Sequence, residues 1–273
     1  METVETWDRE VAERNVQCAL DWLTKYRETT GCRGVVIGIS GGKDSTVVAM
    51  LAKRVWGASI LGVLMPNGEQ ADIDDSKKIV DVLNIPYCVV DIHDAYQGLI
   101  NNIDNSGELI TDKALTNIPP RLRMATLYAI GQSYGYRVLG TGNASEAFIG
   151  WFTKWGDGAY DANPLAGFTC TEVIEMGKVL AEYFDLPIEY IVKTPADGLT
   201  GKSDEENFGF TYAELDMVIN AFNTGKALTA LPIDKAIIEK IINMHEATEH
   251  KRRLPAACND ATWLSLYRLY RKQ

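Results

Sequence analysis

Histidine is scarce in this chain of 273 residues, and the three copies, His93, His245 and His250, are scattered in a way that makes no metal set. Cysteine is also sparse. Cys18, Cys32, Cys88, Cys170 and Cys258 are odd in number and form no Cys-x-x-Cys pair, which excludes a disulfide framework or a structural zinc site and fits reduced thiols in a cytoplasmic protein. No apolar run is long enough to span a bilayer, and the acidic start Met1-Glu2-Thr3-Val4-Glu5 leads directly into a helical pattern, so neither signal nor transit peptide is expected. Basic charge is short as well. With 27 Lys and Arg against 37 Asp and Glu the net charge is −10, and no basic cluster is interleaved with aromatics, so a nucleic-acid surface is not expected. Internal repeats, low-complexity stretches and linkers are missing too. With 46% hydrophobic residues, the chain is expected to fold as a single domain over 1–273, a nucleotide-binding core at about 30–165 followed by helices and closing loops at about 166–273.

What is present centres on Gly38-Ile39-Ser40-Gly41-Gly42-Lys43-Asp44-Ser45. It follows the β-branched run Val35-Val36-Ile37 and precedes an apolar helical stretch, so it reads as the turn from a buried strand into a helix. Gly41 and Gly42 carry no Cβ to keep an anion off the backbone, and the unpaired amides at a helix start, with the positive end of its dipole, attract one. Ser40 and Ser45 add hydroxyl donors. Asp44 would repel a bare phosphate, and fits if a divalent cation stands between it and the phosphate oxygens, so the turn implies a nucleotide with magnesium. A Walker A loop is set aside, because its glycine and Ser/Thr positions hold Ile37 and Asp44. A serine-hydrolase elbow fits Gly38 to Gly42 but leaves Asp44 without a role.

Along the chain, periodicity predicts an amphipathic helix over 4–26, a strand over 59–65, a helix ending near Leu83, a third strand over 87–90, a helix from His93 and a turn at 105–107. A helix over 121–134 after Pro119-Pro120 and a fourth strand over 136–139 follow. Thr171 is expected to cap a helix ending at Phe184, and further helices are expected at about 212–222 and 234–247. The polar stretch 198–209 reads as a covering loop, and 248–255 as a basic patch. Repeated strand and helix alternation without hairpin signals predicts an α/β fold, a doubly wound, mostly parallel sheet flanked by helices, with an N-terminal helix and a helical C-terminal segment. Ligands on such a sheet gather at the carboxyl ends of the strands, around Ser40, the Pro66 loop and Gly140-Thr141-Gly142-Asn143.

Ser40-Gly41-Gly42-Lys43-Asp44-Ser45 resembles the pyrophosphate loop of the ATP pyrophosphatases, which activate a carboxylate or carbonyl oxygen with AMP and share an adenine nucleotide alpha hydrolase-like, Rossmann-like fold. Downstream, Arg121-Leu122-Arg123-Met124, Gly140 to Glu146, Phe152-Thr153-Lys154-Trp155-Gly156-Asp157-Gly158 and His250-Lys251 resemble the ammonia-dependent NAD synthetase family. The resemblance implies that Gly38 to Ser45 and Thr141 bind ATP, that Asp44 and Glu146 hold magnesium, and that Arg121, Lys154, Asp161, His250 and Lys251 bind deamido-NAD. It also implies a homodimer. Two positions depart from the family: Cys170 stands where a lysine contacting ATP is often found, a charge that Lys43 is expected to supply in part, and Ala196 lies near the place of an ATP-contacting Ser or Thr.

The implied reaction is adenylation of the nicotinate carboxylate of deamido-NAD, release of pyrophosphate, and displacement of AMP by ammonia. The chain leaves no room for a glutaminase before Val35, so ammonia is expected free or from a separate protein. The rival readings are another amidating synthetase of the same loop, such as a GMP synthetase core, and a non-catalytic adenine-nucleotide sensor.

Overall fold

A computed structural model of the protein describes residues 8–69, 73–193 and 203–255. The first helix, α1 (Arg9–Thr30), is capped by Asp8, whose carboxylate accepts from the Val11 amide, and ends on Gly31 in a left-handed conformation. Strand β1 (Val35–Gly38), helix α2 (Lys43–Trp56), strand β2 (Ile60–Leu64), helix α3 (Ile73–Val82) and strand β3 (Tyr87–Val89) follow as alternating parallel units. Then come α4 (His93–Ser106), α5 (Asp112–Tyr134), β4 (Arg137–Val138) and α6 (Ala144–Ile149). Beyond α6 the described residues add α7 (Cys170–Phe184), α8 (Glu189–Val192), α9 (Asp204–Phe208), α10 (Tyr212–Thr224), a 3-10 turn at Leu228–Ala230, α11 (Lys235–Ala247) and α12 (Glu249–Arg252).

Among the described residues all strand pairs are parallel, in the order β3-β2-β1-β4. The chain moves outward from β1 through β2 to β3 and then returns to the other side of β1, so the order reverses between β1 and β4. In an open α/β sheet such a reversal is where ligands sit, outside the carboxyl ends of the strands. Val35, Val36 and Ile37 are fully buried, as expected of a central strand covered on both faces. One core under the sheet joins α1, α2 and α7 through Leu23, Met50, Leu51, Leu165 and Met176; a second joins α6, α9, α10 and α11 through Ile149, Phe208, Leu215 and Ile241. Ile174 packs against both. Beside β4, a parallel bridge between Leu139 and Ala162 lengthens the sheet edge.

Three sequence expectations shift. The helix expected over 121–134 begins at Asp112, capped by Thr111, and runs through Pro119 and Pro120. The cap of α7 is Thr169, in a reciprocal capping box with Glu172, and not Thr171. Within the stretch expected as loop over 198–209, Asp204–Phe208 is a helical turn capped by Ser203, with Phe208 buried; the part before Ser203, like Ala196, lies outside the described residues. Among the described residues no helix is long and apolar enough to cross a membrane.

Candidate active site

The turn after β1 has the geometry its glycines predict. Gly41 has φ +81°, a left-handed conformation that a Cβ makes costly, and Gly42 takes the N-cap of α2 with no side chain capping it. The Thr46 amide makes the first helical bond, to the Gly42 carbonyl at 3.2 Å. The amides of Lys43, Asp44 and Ser45 ahead of it are therefore left for a ligand. Ser40 and Ser45 brace the turn from inside, their hydroxyls 3.1 Å apart and the Gly42 amide donating to Ser40 Oγ at 3.2 Å. Gly38 ends β1, and Ile39 is buried with its amide on the Val63 carbonyl at 3.0 Å.

Asp44 and Glu146, a hundred residues apart in the chain, meet here. The link is Asn143, fully buried, whose side-chain amide donates to Asp44 Oδ1 at 3.1 Å. Asn143 is also the N-cap of α6: its Oδ1 accepts from the Glu146 amide at 3.0 Å, and its own amide donates to Glu146 Oε2 at 3.1 Å. Burial, and then the nearby Asp44 charge, push the Glu146 carboxyl up to about 8. Two acids held against their mutual repulsion suit a hard divalent cation. Among the described residues no group of three or more His, Cys, Asp or Glu could enclose a metal alone. Two carboxylates with substrate phosphates completing the shell is the arrangement magnesium favours, so these residues fit it.

Lys43 turns inward. It is 4% exposed, with Nζ donating to Asp44 Oδ2 at 2.7 Å and lying 5.7 Å from the Tyr212 ring centre. Burial works against its charge, but the Asp44 carboxylate beside it holds the proton on. From that position it acts through its field and offers no exposed ammonium to a phosphate. Cys170 is buried, and burial pushes its thiol pKa up, so it contributes no charge. Thr141 sits half-buried between β4 and α6.

A second group converges on residues 150–154. Arg121 Nε donates to the Lys154 carbonyl at 3.4 Å, and Lys154 Nζ donates to the His250 carbonyl at 2.5 Å. Lys251 Nζ donates to the carbonyls of Gly150 at 2.7 Å and Phe152 at 2.6 Å. Beside them stands Arg252, part of the basic patch read over 248–255 but not among the expected site residues, which donates to the Ala147 and Phe148 carbonyls that end α6. On a chain of net charge −10, this concentration of cations suits an anionic substrate.

Asp161 stands elsewhere. Its Oδ2 accepts from the Val138 amide at 2.9 Å, and it lines a cavity of about 420 Å³ with Arg33, Tyr128, Gln132 and Arg137 at the amino ends of β1 and β4. Arg123 was likewise not singled out as a site residue: its Nε donates to the Met65 carbonyl at 3.0 Å, fixing the carboxyl end of β2. Asn143 could have been found, because Asn-x-x-Glu is a capping box legible in sequence.

The family described as NAD synthase matches residues 15–255. A relative named NH(3)-dependent NAD(+) synthetase, from Carboxydothermus hydrogenoformans, is 37% identical over 246 residues, which cover 89% of this chain and 96% of the relative. Among solved structures, the NMN synthetase of Francisella tularensis aligns with a TM-score of 0.79 at 33% identity, covering 91% of this chain and 98% of the other. An NH3-dependent NAD synthetase from Campylobacter jejuni aligns with a TM-score of 0.73 at 26% identity, covering 90% and 98%.

Proposed function

The chain belongs to the NAD synthase family, and on that premise we propose that it is a ligase that amidates deamido-NAD with ammonia, converting ATP to AMP and pyrophosphate. The observation that carries this reading is the meeting of Asp44 and Glu146, through Asn143, beside the open amides of α2. A GMP synthetase core would share the turn but not the family match over 15–255, and a nucleotide sensor would not need Glu146 or Lys154.

A carboxylate does not exchange oxygen for ammonia unaided, because oxide is a poor leaving group. The nicotinate carboxylate therefore attacks the α-phosphorus of ATP, forming a mixed anhydride as pyrophosphate departs. Amides of the Gly41 to Ser45 turn hold the departing diphosphate, and Lys43 moderates the repulsion between Asp44 and Glu146. Asp44 and Glu146 would hold a magnesium ion, which would supply further neutralisation of phosphate charge. Ammonia then adds to the activated carbonyl, AMP leaves, and a proton is lost from nitrogen. No residue forms a covalent bond to substrate. Arg121, Lys154 and the His250-Lys251 segment orient the carboxylate substrate, so that catalysis here is positioning and charge stabilisation.

A second reading follows from the alignment with an NMN synthetase: the carboxylate substrate is a mononucleotide. Asp161 is proposed to bind the larger substrate, and its place at the amino ends of β1 and β4, away from the nucleotide turn, makes its substitution a test that can separate the two. The test is AMP and product formation from ATP and an ammonium salt with deamido-NAD or with nicotinate mononucleotide, glutamine serving as the comparison nitrogen source. Deamido-NAD is expected to be the better substrate, and Asp161→Ala is expected to raise its KM about tenfold. Preference for the mononucleotide, with Asp161→Ala silent, would favour the second reading; no AMP from either would reject both.

A homodimer is part of the proposal. Helix α4 buries none of its residues and α5 few, and Leu99 on α4 and Tyr134 on α5 are exposed apolar surface that a second copy would cover. Light scattering is expected to give twice the chain mass; a monomer at micromolar concentration rejects this. The free thiols of Cys18, Cys32, Cys88 and Cys170 suit a reducing, cytoplasmic setting.

A further inference from the structure

Helix α6 has six residues, too few to hold its own shape, yet it carries Glu146. Something outside it must fix its first turn. Asn143 caps it from below, and its second residue, Ser145, is fully buried against α10. Ser145 Oγ donates to Asp216 Oδ1 and accepts from the Cys170 amide at 2.8 Å. Asp216 Oδ2 in turn accepts from the Thr171 amide at 3.0 Å and from the Thr171 hydroxyl. One carboxylate from the middle of α10 thus binds the starts of two helices, α6 and α7, where the positive ends of their dipoles favour it.

We propose that Asp216 is a positioning residue for the acid pair: through Ser145 it fixes the start of α6, and so sets where Glu146 and Asn143 stand relative to Asp44. The inference rests on the reading of Asp44 and Glu146 as a divalent-cation site. Asp216 is 9% exposed, and both its oxygens are taken by donors from Ser145 and Thr171, so it braces the site without joining it. If fastening α10 to α6 and α7 were the only need, apolar side chains would do it without burying a charge. A carboxylate bonded at fixed angles to the residue next to Glu146 sets position as well as adhesion. It does for the acids what outer hydrogen-bond partners do for metal ligands elsewhere.

The test uses the full chain with manganous ion as the probe, titrated in the presence of a non-hydrolysable ATP analogue and followed by the electron paramagnetic resonance of the free ion. Wild type, Asp44→Asn, Asp216→Asn and Ser145→Ala are compared, each also by thermal melting and steady-state kinetics. Wild type is expected to bind the ion and Asp44→Asn to lose it. Asp216→Asn and Ser145→Ala are each expected to weaken ion binding about tenfold or more, and to lower kcat similarly while the KM for the carboxylate substrate stays within about twofold. If Asp216→Asn does not fold, Ser145→Ala, which removes a single hydroxyl, decides the matter. Wild-type ion affinity in the folded variants, with only a lowered melting temperature, would make Asp216 a plain brace and overturn the proposal. No ion binding in wild type, or undiminished binding in Asp44→Asn, would overturn the acid-pair reading itself, and this inference with it.

Discussion

Asparagine at position 44 or glutamine at position 146 is expected to slow pyrophosphate release about 10³-fold while the protein stays folded. Each substitution removes a carboxyl group that could hold the cation and preserves the shape of the side chain. Asp44→Asn keeps a carbonyl oxygen to accept from Lys43 Nζ, which otherwise would be left buried without its partner. Glu146→Gln keeps an oxygen for the Asn143 amide, so the cap of α6 survives. It also removes a carboxyl that burial and Asp44 push up to about 8, so the variant should be no less stable than wild type at neutral pH. The sign follows from linkage: the ordinary value of this group is 4.5, so the folded state takes up a proton between that value and about 8, and the ionised carboxyl weighs against folding as pH rises through that window. What is lost is the hold on a divalent cation and the neutralisation of the departing diphosphate. Charge stabilisation of that kind contributes several kcal/mol, and about 4 kcal/mol corresponds to a factor of ~10³ in rate. The measurement is coupled pyrophosphate release at saturating ATP, with a thermal melt of each variant. Turnover within tenfold of wild type in both variants would remove the cation from the mechanism.

Local features of this site were legible in sequence because they are written in consecutive residues. The β-branched run 35–37 announced a buried strand, and two glycines announced a turn into a helix. Strand and helix alternation then implied the sheet and its crevice. Pairings between distant residues were not legible. Nothing in the chain states that Asn143 reaches Asp44, that Ser145 reaches Asp216, or that Lys154 reaches the carbonyl of His250. Lys43 shows the limit well: as a cation in a phosphate turn it is expected on the ligand, yet the neighbouring acids draw it inward. The start of α5 was missed for a different reason. Pro119 and Pro120 each remove an amide donor, which argues for a helix boundary. Instead, Thr111 caps the helix more than two turns earlier, and the helix continues through the prolines, giving up the two amide bonds that would reach the Leu115 and Thr116 carbonyls.

Alanine at Gly150 is expected to cost about 2–5 kcal/mol of stability and to raise the KM for the carboxylate substrate about tenfold, with little change for ATP. Gly150 ends α6 at φ +68°, where an L residue is strained by about 1–2 kcal/mol. A Cβ there would also stand 2.3 Å from Thr248 Cβ, closer than atoms can pack, and relieving such an overlap in a filled site costs about 1–3 kcal/mol more. Thr248 cannot retreat alone. It opens α12, its hydroxyl accepts from Arg252 at 2.8 Å, and Arg252 also holds the last carbonyls of α6. Pushing Thr248 away therefore moves α12 as a unit and draws Lys251 from the Gly150 and Phe152 carbonyls and the His250 carbonyl from Lys154. The cations that gather around residues 150–154 disperse, and with them the orientation of an anionic substrate. ATP is spared, because its turn between β1 and α2 is braced by Ser40, Ser45 and the sheet. Urea denaturation and separate KM determinations for the two substrates test this. An unchanged denaturation midpoint, or equal rises in both KM values, would show that Gly150 is not the joint between α6 and α12.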